Sequence, residues 1–427
     1  MIIRKLIVSN FRSIDHAEID FSPLSIIVGA NASGKSNLIN VFRFIRDIIT
    51  EGIDNAIALQ GGTTYLSNVR SPKGAPIDIS FDLDLSDEKW YYRISNNKKY
   101  TKRIKTISYS FSILPHKKGN GYRIGEDHLS LTSDFYLLDS TVSEKDRIKP
   151  SNIGYTEDYH KKSVSSSYQY HSSADIIKDQ EIQKLLSHDF ASKMFLQFAN
   201  ADKKELMLNR ISLLLPPIFS DSSFIRIFDF DPKELKKASS MASIKTLSEN
   251  GSNLASVLHE IIRKKDKKEK LTTLLKQYLP YVTGLSVENN IDKSFSYKIS
   301  ESFSKRTFHA SFLSDGTVSI LALIIALYFE ERSNIIILEE PERNIHPKLL
   351  VNLLESAEDV SKEKQIIITT HNPEFLKHAK IENVRLVSRD KNGNSIVTEP
   401  ANNSYVKEFM NNELGLDDLF LQNMLGD

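Results

Sequence analysis

The chain of 427 residues contains no cysteine. That excludes disulfide frameworks, thiol nucleophiles and cysteine-ligated metals, and it fits a reducing compartment. Charge of either sign is not in excess. Fifty-six basic residues against 55 acidic ones leave a net charge of +1, so whole-chain electrostatics favours neither nucleic acid nor an acidic membrane. Long apolar runs are missing too. The most apolar stretch, residues 318–329 (VSILALIIALYF), falls well short of the ~20 residues a membrane span needs, and a buried core helix explains it better. The N-terminal run MIIRKLIVSNF is interrupted by Arg4 and Lys5, so its apolar part is too short for a signal peptide. These absences predict a cytoplasmic protein with no membrane partner. No heptad pattern runs long enough for an extended coiled coil, and no internal repeat is visible.

The remaining composition, 26% charged and 40% hydrophobic, is that of a globular protein, with enough length for two or three domains or one elaborated domain. The start alternates like strands: IIRKLIVSNF, AEIDF, then LSIIVG running into a glycine-rich loop. After Lys35 the apolar spacing predicts a helix from Ser36 to about Ile49. Residues 76–83, 89–94 and 104–113 read as an antiparallel meander of half-buried strands. From about 140 to 175 the chain is polar and serine-rich, which predicts an exposed, partly mobile segment. Helical patterns follow at 175–215 and 251–280. The second has an asparagine-serine start, a proline stop and a lysine cluster (RKKDKKEK). A solvated helix face is the plain account of that cluster; contact with a phosphate backbone is the other. Strands are expected at 282–288, 294–299, 335–339, 365–370 and 384–388, with helices at 317–330 and 347–360. Strands alternating with helices, in near-continuous apolar runs, predict an α/β fold with a mostly parallel sheet covered on both faces, an antiparallel β subdomain and a helical insertion. The expected organisation is 1–140 and 281–400 as two halves of one domain, 141–280 as a mainly helical insertion, and 401–427 as a helical tail.

Three motifs carry chemistry. Gly29-Ala30-Asn31-Ala32-Ser33-Gly34-Lys35-Ser36 lies between a predicted strand and a predicted helix, the context that makes this pattern a P-loop. Its glycines let the backbone curl until the N–H groups from Asn31 to Ser36 converge on phosphate oxygens. Lys35 is expected to reach the β- and γ-phosphates and Ser36 to hold Mg²⁺. The strand Ile335 to Leu338 delivers two adjacent carboxylates, Glu339 and Glu340, at the strand end where ligands bind in open α/β sheets. Glu339 is assigned to Mg²⁺, through a coordinated water, and Glu340 to water activation. Residues 366–370 form a second buried run ending in His371, placed to hydrogen-bond the γ-phosphate and sense its loss. Leu313-Ser314-Asp315-Gly316-Thr317 starts a helix; Ser314 suits an N-cap, and the N–H groups beside Gly316 suit an anion.

In this order, NFRSI (Asn10 to Ile14), GANASGKSN, FLSDGT, LEEPERNIHP and TTHNPEFL resemble the P-loop NTPase heads of ABC type found in SMC, recombination-repair and OLD-family proteins, and most of all the stand-alone bacterial AAA-annotated ATPases of that group. GSNLASVL (251–258) resembles their lid segment. The resemblance covers most of the chain except about 140–175. It implies an ATPase whose two protomers sandwich two ATPs, with Ser314 and Gly316 of one closing over the γ-phosphate held by the other. It also places Arg12 and Asn37 near the nucleotide, and Asn344 and His346 in the loop through which the two sites communicate. Two departures stand out. Glu339 replaces the usual Walker B aspartate, and no convincing Q-loop glutamine can be placed, Gln60 being the nearest guess. The distance from Gly34 to Ser314, 280 positions, matches the inserted architecture of SMC-like heads and argues against a transporter.

The implied function is an ATP-binding and ATP-hydrolysing dimeric switch that controls a separately encoded effector, such as a nuclease, in bacterial anti-phage defence (abortive infection). The alternative is a recombination-repair-type clamp that binds DNA directly. A third, kinase chemistry on a small molecule, lacks an identifiable acceptor pocket. The Toprim nuclease of OLD proteins is expected to be absent, because little sequence follows His371 and Asp417-Asp418 lie in an amphipathic tail.

Overall fold

The computed structural model describes residues 1–86, 92–93, 100–119, 121–138, 148–160, 167–171, 205–211, 224–243, 246–411, 415–422 and 424–425. The chain forms two compact units: residues 1–21, 37–224 and 389–397 make the first, and 22–36, 225–388 and 398–427 the second. Among the described residues no helix is long and apolar enough to cross a membrane.

The second unit is built on five parallel strands in the spatial order Ile225–Phe228, Ile335–Glu339, Gln365–Thr370, Leu24–Val28, Val384–Arg389. Their sequences are runs of isoleucine, leucine and valine because both faces are covered. Ile336, Ile337, Ile366, Ile367, Ile368, Ile26, Ile27 and Val28 have no exposed surface. Strand order reverses at Leu24–Val28, whose neighbours are the fourth and fifth strands in chain order. Such a switch point opens a crevice at the carboxyl ends of the strands. The helix Asp315–Tyr328 is buried from Thr317 to Leu327 without a polar face, which accounts for the apolar run at 318–329. A separate antiparallel sheet of Ser239–Ser240, Val282–Asn289, Ser294–Glu301 and Thr307–His309 completes this unit. The helical pattern at 251–280 is two helices, Leu254–Ile262 and Lys265–Tyr278, separated where Lys264 turns extended (φ −99, ψ 115). The first is almost wholly buried. The lysine-rich second presents one narrow stripe of Leu271, Leu275 and Tyr278.

In the first unit, Ile2–Phe11 pairs antiparallel with Ile14–Asp20 and with Ile77–Asp84. The meander continues through Tyr100–Pro115 and Tyr122–Leu138. It does not stop near 140. Ile148–His160 and Ser167–His171 extend it as further antiparallel strands, elements that the polar, serine-rich composition over 140–175 did not signal. Main-chain ladders do not require apolar side chains. Tyrosines at 155, 159, 168 and 170 supply strand preference that an apolar count overlooks. The helical pattern at 175–215 lies mostly outside the described residues; Met207–Arg210 is a single 3-10 turn. A buried polar network holds that turn: Tyr109 donates to Asp127 Oδ1 (2.6 Å), and the N–H groups of Met207 and Leu208 donate to Asp127 Oδ2 and to the Tyr109 hydroxyl.

Candidate functional site

In the second unit, three adjacent strands end together. Thr370 stands beside Val28 and Glu339 beside Thr369 in the parallel register. The ladder continues one residue past each end: Gly29 N–H donates to Thr370 O (3.3 Å), and Glu340 N–H to Thr369 O (2.9 Å). The P-loop, the paired carboxylates and His371 therefore emerge side by side.

The loop is shaped by backbone conformations that resist ordinary side chains. Ala32 (φ 61) and Gly34 (φ 114) are left-handed, and Ser33 N–H closes a turn onto Ala30 O. At Gly29 the constraint is space. A Cβ there would lie 2.2 Å from the Val387 carbonyl oxygen. Asn31, Ala32 and Ser36 face solvent, while Ser33 and Lys35 are buried. The Lys35 ammonium sits inside the loop, donating to the carbonyls of Gly29 (2.7 Å) and Ala30 (3.1 Å). Burial lowers its proton affinity, and the charges of Glu340 and Glu342 oppose that shift.

Glu340 is held through both its backbone and its side chain. Its φ of 44 turns the chain sharply at the strand end, a conformation that costs roughly 1–3 kcal/mol and clusters at functional sites. Oε1 lies 3.1 Å from His371 Nδ1, and Oε2 accepts from Arg343 Nε at 2.8 Å. Burial by itself raises the Glu340 pKa. The hydrogen bonds and charges of Arg343 and His371 outweigh it and hold the carboxyl below its ordinary range. A cavity of about 10 Å³, lined by Glu339, Glu340, Pro341 and Arg343 among others, is at the lower limit for one water molecule. Two residues on, Glu342 is 7% exposed, accepts from Thr370 Oγ1, and has a second oxygen without a hydrogen-bond partner. Burial raises its pKa above the carboxylate norm despite the Thr370 bond.

Ser314 caps Asp315–Tyr328, its Oγ accepting from Thr317 N–H (3.1 Å). Gly316 packs on the loop containing Asn344, whose carbonyl oxygen would lie 2.7 Å from a Cβ at 316; Asn344 is itself left-handed (φ 63). His346 caps the following turn through Lys348 N–H. In the first unit, Arg12 is left-handed (φ 51) and donates to Gln60 Oε1 at 2.6 Å, while Asn37 donates to Ser13 Oγ at 2.6 Å. Burial and the nearby Arg43 lower the Arg12 pKa. Both residues line a cavity of about 500 Å³ with Tyr65, Asn68, Arg70 and Arg389.

Within the second unit the structure thus brings Lys35, Glu339, Glu340 and His371 to one strand-end crevice. Arg12 and Asn37 share a cavity in the first unit. Sequence reasoning missed Arg343, Asp229, Glu342 and Thr370. Arg343 and Glu342 sit inside LEEPERNIHP, where charged residues in a row signalled them; Asp229, far off in sequence, gave no signal. Among the described residues no group of three His, Asp or Glu could hold a metal. A hydroxyl (Ser36) and a carboxylate (Glu339) are the donor types of the sparse protein set that Mg²⁺ uses when phosphates and waters supply the rest.

Comparison with known proteins agrees with this geometry. The SMC head bound to the C-winged-helix domain of ScpA matches with a TM-score of 0.50 at 15% identity, over 93% of this chain and 97% of that one. The SMC head domain from Thermotoga maritima gives 0.41 at 14% identity, over 93% and 99%. The Smc head with an extended coiled coil bound to a ScpA C-terminal domain from Pyrococcus furiosus gives 0.46 at 13% identity, over 96% and 98%. Only the first bears on the fold, which is that of an ABC/SMC-type ATPase head. A search of curated proteins found no match. The family model described as "AAA domain, putative AbiEii toxin, Type IV TA system" matches residues 24–377, well over half the chain, and the protein belongs to that AAA family.

Proposed function

We propose that this protein binds ATP with Mg²⁺ and hydrolyses it in a nucleotide-sandwich homodimer that acts as a switch on a separately encoded effector, in anti-phage defence. The observation that supports this most is the convergence of P-loop, paired carboxylates and histidine at the ends of three neighbouring parallel strands. The residues fit the ligand. The cradle has no room for a Cβ at Gly29, and its buried ammonium donates to the loop carbonyls of Gly29 and Ala30, acceptors that a triphosphate can replace. Bound Mg²⁺ would neutralise phosphate charge. Loop N–H groups from Asn31 to Ser36 and the Lys35 ammonium hold the phosphates, with Arg12 and Asn37 assigned to the nucleotide as well. Ser36 and Glu339 are the metal-side ligands. Glu340 accepts a proton from the attacking water, and His371, already against Glu340 Oε1 through Nδ1, fixes that carboxylate and, as an imidazolium, donates toward the γ-phosphate from its other ring nitrogen. Ser314 and Gly316 close the partner's site.

The family description names a toxin of a toxin–antitoxin system, a setting compatible with a defence switch. Removal of the Lys35 ammonium (Lys35→Ala) is expected to abolish tight ATP binding in a fluorescent-nucleotide titration. Glu340→Gln is expected to bind ATP yet turn over ~10²–10⁴-fold more slowly, accumulating as dimers in light scattering. Unchanged affinity in the first variant, or wild-type turnover in the second, would refute the corresponding assignment. Strong stimulation of turnover by DNA would instead favour the repair-clamp reading.

A further inference from the structure

We propose that Arg343 is a positioning residue for Glu340: anchored by Asp229, its guanidinium fixes one carboxylate oxygen while His371 fixes the other. This rests on the reading of Glu340 as the group that activates water. Arg343 Nη1 lies 3.0 Å from Asp229 Oδ1, and its Nε lies 2.8 Å from Glu340 Oε2. Asp229 follows the strand Ile225–Phe228, and Glu340 follows the neighbouring strand Ile335–Glu339. The arginine therefore spans two strand ends and aims a carboxylate from one by leaning on a carboxylate from the other.

Two physical arguments separate this role from simple stabilisation. Arg343 and Asp229 side chains are 49% and 45% exposed, and ion pairs that open to water contribute only ~0–1 kcal/mol to folding. The pair is poorly suited to holding the fold and well suited to holding a direction. Glu340, in contrast, is 17% exposed and left-handed. A strained residue of this kind persists where its surroundings over-determine it. Its main-chain N–H is held by Thr369, through both the carbonyl (2.9 Å) and the hydroxyl (3.2 Å). With the backbone fixed, the side-chain torsions are the remaining freedom, and Arg343 and His371 remove it.

Each carboxylate oxygen has two acceptor sites, so the two clamps leave room for a water proton. Glu340 and Arg343 also share the wall of a small cavity with Phe228, Leu323 and Leu338, so the guanidinium and the carboxylate it holds are packed on the same side. Released from the guanidinium, the carboxylate samples other rotamers, and a misplacement of ~1 Å at a reacting group costs on the order of 10²-fold in rate.

The test uses the full chain and steady-state ATPase kinetics. Arg343→Ala is expected to lower kcat by ~10–100-fold, with KM for ATP, nucleotide Kd and thermal midpoint unchanged. Arg343→Lys keeps a cation but cannot bridge in a fork, and is expected to recover part of the loss. Asp229→Asn is expected to show a smaller loss in the same direction. In a Glu340→Gln background, Arg343→Ala is expected to slow turnover no further, because the group it aims is gone. Unchanged or raised kcat in Arg343→Ala, or a loss that adds to that of Glu340→Gln, overturns the proposal. If Glu340→Gln itself turns over normally, the base assignment fails first, and the two failures are told apart by that single variant.

Discussion

Gly29→Ala is the sharpest steric test of the P-loop. Gly29 is not left-handed, so the expected cost is one of space. The added methyl would lie 2.2 Å from the Val387 carbonyl oxygen, 3.2 Å from its carbonyl carbon and 2.6 Å from Ser33 Oγ. The serine hydroxyl can rotate away. The carbonyl cannot, because Val387 belongs to a strand whose neighbour Leu386 pairs with Val28, the residue immediately before the loop. Relief to ordinary contact requires a separation of ~1 Å in a close-packed interior. Overpacking of this kind costs ~1–3 kcal/mol or more, and the lower entropy of an unfolded alanine returns only ~0.4–1 kcal/mol. The net expectation is a destabilisation of ~1–2 kcal/mol. The same ~1 Å shift at the phosphate cradle is expected to lower kcat/KM by on the order of 10²-fold. Thermal denaturation, with and without ATP and Mg²⁺, and steady-state ATPase assays read both effects. A variant with unchanged melting temperature, or one that melts earlier yet binds ATP normally, would refute the claim that the Gly29–Val387 contact sets the cradle's shape.

Glu342→Gln probes the buried carboxyl. Its folded pKa is raised by burial, so the folded state keeps a proton that the unfolded state loses. Wild-type stability is therefore fully present below the unfolded carboxyl pKa of ~4.3 and is lost as pH rises through the folded value. Glutamine has no such loss, so the variant's melting temperature relative to wild type is expected to climb across that window; a difference constant from pH 4 to 8 would contradict a buried, proton-holding Glu342. Ser314→Arg removes the cap bond to Thr317 N–H, worth ~0.5–2 kcal/mol. It is expected to leave ATP affinity intact while preventing ATP-dependent dimers in light scattering, and dimers of normal stability would argue against closure through this helix start.

Legibility followed the physics of each segment. IIILE and IIITT were readable because strands covered on both faces are near-continuous apolar runs, here short, rich in β-branched residues and bounded by polar ones, which argues strand over buried helix. The glycine-rich loop was readable because the left-handed backbone at Gly34 (φ 114) and the close approach of Val387 at Gly29 favour glycine at both ends of the loop. The strands Ile148–His160 and Ser167–His171 were not: their hydrogen bonds are main-chain, and their polar composition resembles a loop. The pattern at 251–280 hid a break at Lys264 because leucine spacing persists across it.

At the candidate site the division is sharper. The residues assigned here to phosphate and to water activation could be named from order and type alone, since a P-loop, a carboxylate-ended strand and a histidine-ended strand each carry a local signature. How Glu340 is aimed could not. Its orientation depends on Arg343 leaning on Asp229, 114 positions earlier, and the proton affinity of Glu342 depends on burial among strands far apart in the chain. Local sequence encodes which chemical groups exist and which backbone turns they sit on. Distances between groups on different strands, and the solvent each one loses, arise only when the sheet assembles.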